Sequence, residues 1–269
     1  MRGLAKADRS HGAMELINRS RPEVAAHEVL IQVDYAGLCG SDAGIYEFES
    51  AFERMELPTV ISHEYSGRVV EVGADVTKFD VGDRVIERPI RGCGDCYQCE
   101  IGEPNVCQNA VITGVDHDGA YEPYLAVPED ALHPVPDGVE QRHAAMVEPT
   151  SIGTRAVIQN SRVHAGTRVL VEGPGPIGLL TAQVARAQGG EVVVFGVGQD
   201  TEYRLPPRSG AWIRDDQRGR RRHRRAPTRA HGWSRLRCRL RHDGTPLRTH
   251  LCRRTSTEGR SDHPHRPNR

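Results

Sequence analysis

Arg168-Val169-Leu170-Val171-Glu172-Gly173-Pro174-Gly175-Pro176-Ile177-Gly178 decides how the second half of this 269-residue chain folds. A short aliphatic strand runs into glycines spaced G-x-G-x-x-G. A helical pattern follows over residues 179–188, and a second strand at Glu191–Phe195. Strand, glycine turn and helix in that order form a dinucleotide fingerprint in a parallel α/β sheet. Gly173 would make the tight turn, Gly175 would admit a pyrophosphate, and Gly178 would let helix and strand approach. Pro176 and Ile177 join the glycines as candidate cofactor-binding residues ahead of the helix, whose N-terminal amides and dipole favour phosphate. A glycine turn with a purely structural role is the alternative reading. The acid that selects NAD is expected about twenty residues beyond the glycines. The chain has Phe195-Gly196-Val197-Gly198 there, with Asp200 the nearest carboxylate, so NAD and NADP both stay open.

Beyond this unit the text changes character. Residues 1–200 hold 2 Lys and 14 Arg against 30 acidic residues, a balance of −14, whereas residues 201–269 hold 20 Arg against 6 acids, a balance of +14. The formal net charge of zero is therefore a cancellation between unlike segments. After Tyr203 there is no Val, Phe, Tyr, Met or Lys, so residues 206–269 offer little from which to build strands or a core, and a disordered Arg-rich tail is expected. Two origins compete for it. The run Arg218-Gly219-Arg220-Arg221-Arg222-His223-Arg224-Arg225 has the cation density of a nucleic-acid-binding arm. An arginine-rich, lysine-free text is also what a GC-rich gene yields out of frame. Residues 232–244 can be encoded so that a one-nucleotide shift reads Ala-Gly-Leu-Gly-Cys-Asp-Val-Val-Phe-Asp-Thr-Thr-Gly, a buried strand leading into a turn. The out-of-frame origin is the reading preferred here.

Upstream, residues 29–36, 67–73 and 83–87 are short β-branched runs bounded by Gly, Asp and Pro, the pattern of a small barrel with tight turns. Within a glycine-rich loop, Cys93, Cys96, Cys99 and Cys107 follow the spacing Cys-x2-Cys-x2-Cys-x7-Cys. Four thiolates so placed can close a tetrahedron around one zinc ion with no open position, which makes that metal structural. Free or redox-active thiols are the alternative. The N-terminal residues lack the apolar core of a secretory leader, and no apolar run is long enough to cross a bilayer. A reduced, cytoplasmic protein is expected, in which cysteine clusters favour metal over disulfide.

Two strand ends carry further chemistry. Cys39-Gly40-Ser41-Asp42 follows one strand and His63-Glu64 precedes the next, each where a turn can aim a side chain into a cleft. A soft thiolate and a neutral imidazole make a natural zinc pair. Glu148, in Val147-Glu148-Pro149-Thr150, adds a carboxylate.

These motifs, with the turn Val81-Gly82-Asp83-Arg84-Val85, resemble the zinc-dependent medium-chain dehydrogenases, in particular the sorbitol, threonine and glucose dehydrogenase branch. The resemblance covers residues 1–205. It implies an α/β chain with a β-rich first domain: a GroES-like catalytic barrel at 1–155, the start of a Rossmann doubly wound domain at 156–205, left incomplete, and the tail at 206–269. It also implies a catalytic zinc held by Cys39 and His63, with Glu64 and Glu148 completing or alternating in the shell. Ser41 would pass on the proton of the substrate alcohol, or else serve as a turn or capping residue. Hydride would move between a secondary alcohol or polyol and NAD(P). Family members form homo-oligomers through a part of the fold that residues 206–269 do not spell out, and turnover by this chain is expected to be impaired. A non-catalytic zinc-binding remnant is the rival reading, and nucleic-acid binding through the tail a second. The chain departs from the family pattern at Ser62, where a glycine is usual, and at Gly44, where many members carry a relay histidine.

Overall fold

The computed structural model describes residues 1–196 and the backbone of Ser234–Leu236. Asp200, residues 197–205 and, apart from that one strand, the tail lie outside the described residues.

The chain opens with β1 (Arg2–Lys6) and β2 (Met14–Asn18), an antiparallel pair whose register sets Arg2 opposite Asn18. Then come β3 (Glu28–Ala36), helix α1 (Gly40–Glu47), β4 (Thr59–Val60), β5 (Tyr65–Val72) and β6 (Arg84–Glu87). A hairpin of β7 (Ile90–Arg91) and β8 (Val111–Ile112) brackets the cysteine loop with its short helix α2 (Tyr97–Glu100). After β9 (Tyr124–Pro128) and β10 (Leu132–Pro134), the chain forms α3 (Gln141–Ala144) and α4 (Val147–Thr154). The last unit is β11 (Arg168–Glu172), α5 (Pro176–Ala187), β12 (Glu191–Phe195) and β13 (Ser234–Leu236).

The barrel is built on a five-stranded antiparallel sheet in the order β10-β6-β5-β3-β9. The β-branched and aliphatic side chains that mark these strands in the sequence meet in one layer, where Val29, Ile31, Val69, Val85 and Val127 are almost wholly buried. Each contributes about 1.5–3 kcal/mol by leaving water. Register shifts in β3 between Leu30 and Ile31, and again between Val33 and Tyr35, bend the strand just before it delivers Cys39. A second small core of Ile45, Met55, Ile61 and Val115 seats α1 against the barrel. Lys6 fastens the far end of that helix: fully buried, it donates to Ser10 O at 2.6 Å and to Tyr46 O at 3.1 Å.

In the second unit β11 and β12 run parallel, Arg168 opposite Glu191 through Glu172 opposite Phe195, and α5 packs Ala182 and Ala185 onto Val169, Val171, Val192 and Val194. The helix begins at Pro176, three residues before the periodic signal in the sequence, because proline at the first helical position is already set at the required φ. The sequence reading placed no strand in the tail, yet Ser234–Leu236 runs parallel to β11 on the side away from β12. An open sheet edge offers its backbone groups to any extended segment, whatever the side chains. Among the described residues no helix is long and apolar enough to cross a membrane.

One buried acid makes the stability of the barrel depend on pH. Glu122 is 6% exposed, and burial, with the Asp118 charge second, pushes its carboxyl up to about 7, against the opposing charges of Arg19 and the N-terminus. The folded chain therefore holds this proton more tightly than the unfolded one. The contribution is complete below pH 4.5 and is lost as the pH rises through about 7. In thermal melts from pH 4.5 to 8, the native chain is expected to lose about 2 kcal/mol relative to Glu122→Gln. Parallel pH profiles for the two proteins would contradict this assignment.

Candidate functional site

Cys39 sits immediately before α1, and its amide donates to Asp42 Oδ2 at 2.8 Å, which fixes the first turn of the helix. Tyr121 shares its hydroxyl between Gly37 O at 2.9 Å and Asp42 Oδ2 at 3.1 Å. Across the cleft, His63 and Glu64 immediately precede β5. The two strand ends are laced by Gly37 N donating to Glu64 O at 2.6 Å. Gly37 also makes room for the carboxylate, since a Cβ there would stand 2.6 Å from Glu64 Oε2.

The outcome is that one donor atom each from Cys39, His63 and Glu64 lies within 4.8 Å of the others. Ser41 Oγ is 3.5 Å from His63 Nε2, and His63 Nδ1 is buried without a hydrogen-bond partner. Burial pushes the Cys39 thiol up to about 11 and raises the Glu64 carboxyl. Glu148, on the first turn of α4, is pushed up to about 7, first by burial and then by the charge of Glu64. It stands near the group without belonging to the 4.8 Å cluster. A cleft that disfavours thiolate and carboxylate while presenting sulfur, nitrogen and oxygen to one point suits a divalent cation, whose charge reverses those costs. Three protein donors match the number that side chains supply in an open zinc shell, where the fourth ligand is water or substrate.

Ser62, where the resemblance leads one to expect glycine, has φ +89 and a buried side chain. Such a backbone costs a non-glycine residue of order 1 kcal/mol. Its carbonyl is packed so tightly by Gly119 that a Cβ there would come to 2.1 Å, which holds the segment before His63 in place.

The four cysteines of the loop also converge. Cys96 Sγ is 3.6 Å from both Cys99 Sγ and Cys107 Sγ, and Cys107 Sγ is 3.5 Å from Cys93 Sγ. A disulfide would require about 2.05 Å. Sulfurs about 2.3 Å from a shared zinc would lie about 3.8 Å apart, so the spacing fits a tetrathiolate. Cys107 Sγ accepts amide hydrogens from Cys93 at 3.4 Å and Asn109 at 3.3 Å, and the Cys93 amide chiefly lowers its pKa to about 7.

At the glycine turn, Gly173 has φ +98 and donates to Phe195 O at 2.8 Å. A Cβ on Gly178 would stand 1.8 Å from Gly173 O, whereas around Gly173 and Gly175 a Cβ would meet nothing within 4 Å. The close approach and the open cradle thus fall where the motif puts them, at the N-terminus of α5 beside Pro176 and Ile177.

The sequence reading named Cys39, His63, Glu64 and the four loop cysteines, and the fold brings them together as two separate clusters. It assigned no role to Gly37, Tyr121 or Asp42. Only Asp42 left a signal, standing three residues after Cys39 as a capping partner does.

Residues 25–137 match the alcohol dehydrogenase GroES-like domain. Among curated proteins, sorbitol dehydrogenase of Halalkalibacterium halodurans is 39% identical over 201 residues, covering 74% of this chain and 57% of that relative. Among solved structures, a protein of Sinorhizobium meliloti 1021 assigned as a zinc-binding dehydrogenase, bound to NADP, aligns with TM-score 0.68 and 30% identity. That alignment covers 75% of this chain and 57% of the neighbour. An alcohol dehydrogenase of Escherichia coli CFT073 complexed with NADH aligns with TM-score 0.68 and 29% identity, over 81% of this chain and 63% of its own. The chain thus spans a little over half the length of such relatives.

Proposed function

Because the chain belongs to the zinc-dependent alcohol dehydrogenase superfamily, we propose that it is an oxidoreductase moving hydride between a secondary alcohol or polyol and NAD(P). Residues 1–155 would form the catalytic barrel and 156–205 the beginning of the nucleotide domain, with a cytoplasmic setting that keeps the thiols reduced. The observation that carries the reading is the convergence of donor atoms from Cys39, His63 and Glu64 to within 4.8 Å of one another, with Glu64 buried and the other two half-buried.

Cys39, His63 and Glu64 would hold the catalytic zinc, with Glu148 able to alternate in the shell, and Cys93, Cys96, Cys99 and Cys107 the structural one. Zinc bound in the cleft supplies Lewis acidity toward an alcohol oxygen, and a nicotinamide nucleotide supplies the hydride acceptor. The chain's own residues provide orientation and proton transfer. Asp42 and Tyr121 fix the turn that aims Cys39, and Gly37 keeps the Glu64 carboxylate inside the cleft. Ser41 Oγ takes the alcohol proton and releases it toward water, because Gly44 offers no imidazole to continue a relay. The amides at the start of α5 and the space over Gly175 receive the pyrophosphate.

Titration of the full chain with NADH is expected to enhance nicotinamide fluorescence, and secondary alcohols or polyols to reduce NAD(P). Gly178→Ala should weaken NADH binding by at least about tenfold while zinc content is unchanged, since the new methyl group collides with the Gly173 carbonyl. Zinc binding with no fluorescence change would favour the rival reading of a non-catalytic zinc module.

A further inference from the structure

The tetrathiolate lobe touches the rest of the chain at a place that its structural role leaves unexplained. Arg155 Nη2 donates to Glu103 Oε2 at 2.6 Å, and Arg155 Nη1 to Asn105 Oδ1 at 3.2 Å. Both acceptors lie on the loop between Cys99 and Cys107, so the guanidinium spans two groups of the lobe at once. This two-pronged grip uses the planar fork that lysine lacks.

Arg155 is also the first residue of a π turn, Arg155–Gln159, that continues α4 without a break. Asn160 donates to Arg155 O at 2.9 Å, the wide spacing of that turn. Single π turns inside helices recur at functional sites. At the other end of α4 stands Glu148, close enough to Glu64 to feel its charge yet outside the 4.8 Å cluster. The hydroxyls of α4 are turned inward: Thr150 bonds Met146 O, Ser151 bonds Glu148 O and Thr154 bonds Thr150 O. Among the described residues, Arg155 is thus the side chain that ties this helix segment to the lobe through hydrogen bonds. Whether Glu148 reaches an ion held by Cys39, His63 and Glu64 depends on where α4 is set.

We infer that Arg155 is a positioning residue through which the tetrathiolate lobe sets α4 and so places Glu148 at the open metal site. The inference rests on the two-metal reading of the chain. It makes the closed site a mechanical support for the open one, in addition to ordering its own loop.

The test is the affinity of the more weakly held zinc in the full chain, read by competition with a chromophoric chelator. Arg155→Ala should weaken that zinc about fivefold, the size of one good ion pair, and leave the more tightly held equivalent in place. Glu148→Ala should weaken it further, and the double variant should match Glu148→Ala alone, because Arg155 acts through Glu148. Arg155→Glu should behave like Arg155→Ala, and pairing it with Glu103→Arg should restore affinity. Unchanged affinity in Arg155→Ala, or additive losses in the double variant, would overturn the inference while leaving two zinc sites intact. A native chain holding only one zinc would overturn the two-metal reading itself.

Discussion

Replacing His63 by alanine is expected to lower the zinc content of the purified chain from two equivalents to one and, on the proposed function, to remove the alcohol-dependent reduction of NAD(P) that the chain supports. The imidazole is one of three protein donors gathered within 4.8 Å, and the remaining two, Cys39 and Glu64, lie in a cleft that disfavours their charged forms. Without a nitrogen donor the thiol stays protonated near neutrality, so the loss compounds: the site forfeits one ligand outright and most of the charge on another. Affinity should fall by well over a hundredfold, beyond the 10- to 100-fold typical of groups that only support a ligand. Turnover, where zinc contributes several kcal/mol of charge stabilisation, should fall by roughly a thousandfold or more. The tetrathiolate zinc should be untouched, because the two clusters share no residue. Metal analysis and steady-state assay of the same preparation check both parts.

Cys107→Ser is expected to have the opposite signature, with loss of the closed site and of order in its loop. Cys107 is the most buried of the four thiols and accepts two amide hydrogens that organise the turn around it. The lobe has almost no apolar interior to fall back on, for Tyr97, Ile101, Val106 and Val111 are all exposed. A structural zinc contributes on the order of 10 kcal/mol in small isolated domains, and here its ligands are the core of the loop. Limited proteolysis should cut between residues 93 and 107 at least about tenfold faster in the variant than in the native chain. Equal cleavage rates would show that the loop is ordered without metal.

Most of this arrangement could be read from the residues, and the exceptions have physical causes. The three barrel strands at 29–36, 67–73 and 83–87 announced themselves as β-branched runs bounded by turn residues, whereas β1, β2, β9 and β10 carry no such run and are not read from the sequence. Arg168–Glu172 and Glu191–Phe195 fall where the text puts them because each is a plain aliphatic run, with Val169, Val171, Val192 and Val194 buried under α5. The four-cysteine spacing and the glycine turn were legible because each motif is local, its geometry being set within about fifteen residues. The supports of the open site were not. Gly37 matters through a contact with Glu64, and Tyr121 through one with Asp42, both pairs far apart in the chain and brought together only by the barrel. Arg155 looks like any surface arginine until α4 and the cysteine loop are set side by side. The strand Ser234–Leu236 was missed for a related reason, since edge pairing uses backbone groups that every sequence possesses.

The most direct measurement is the number of zinc ions per chain in the native protein, in His63→Ala and in Cys107→Ser. Two equivalents in the first and one in each variant are expected, the survivor being the closed site in His63→Ala and the open site in Cys107→Ser. A native chain with no bound zinc, or two variants that both keep the native count, would contradict the assignment of one closed and one open metal site.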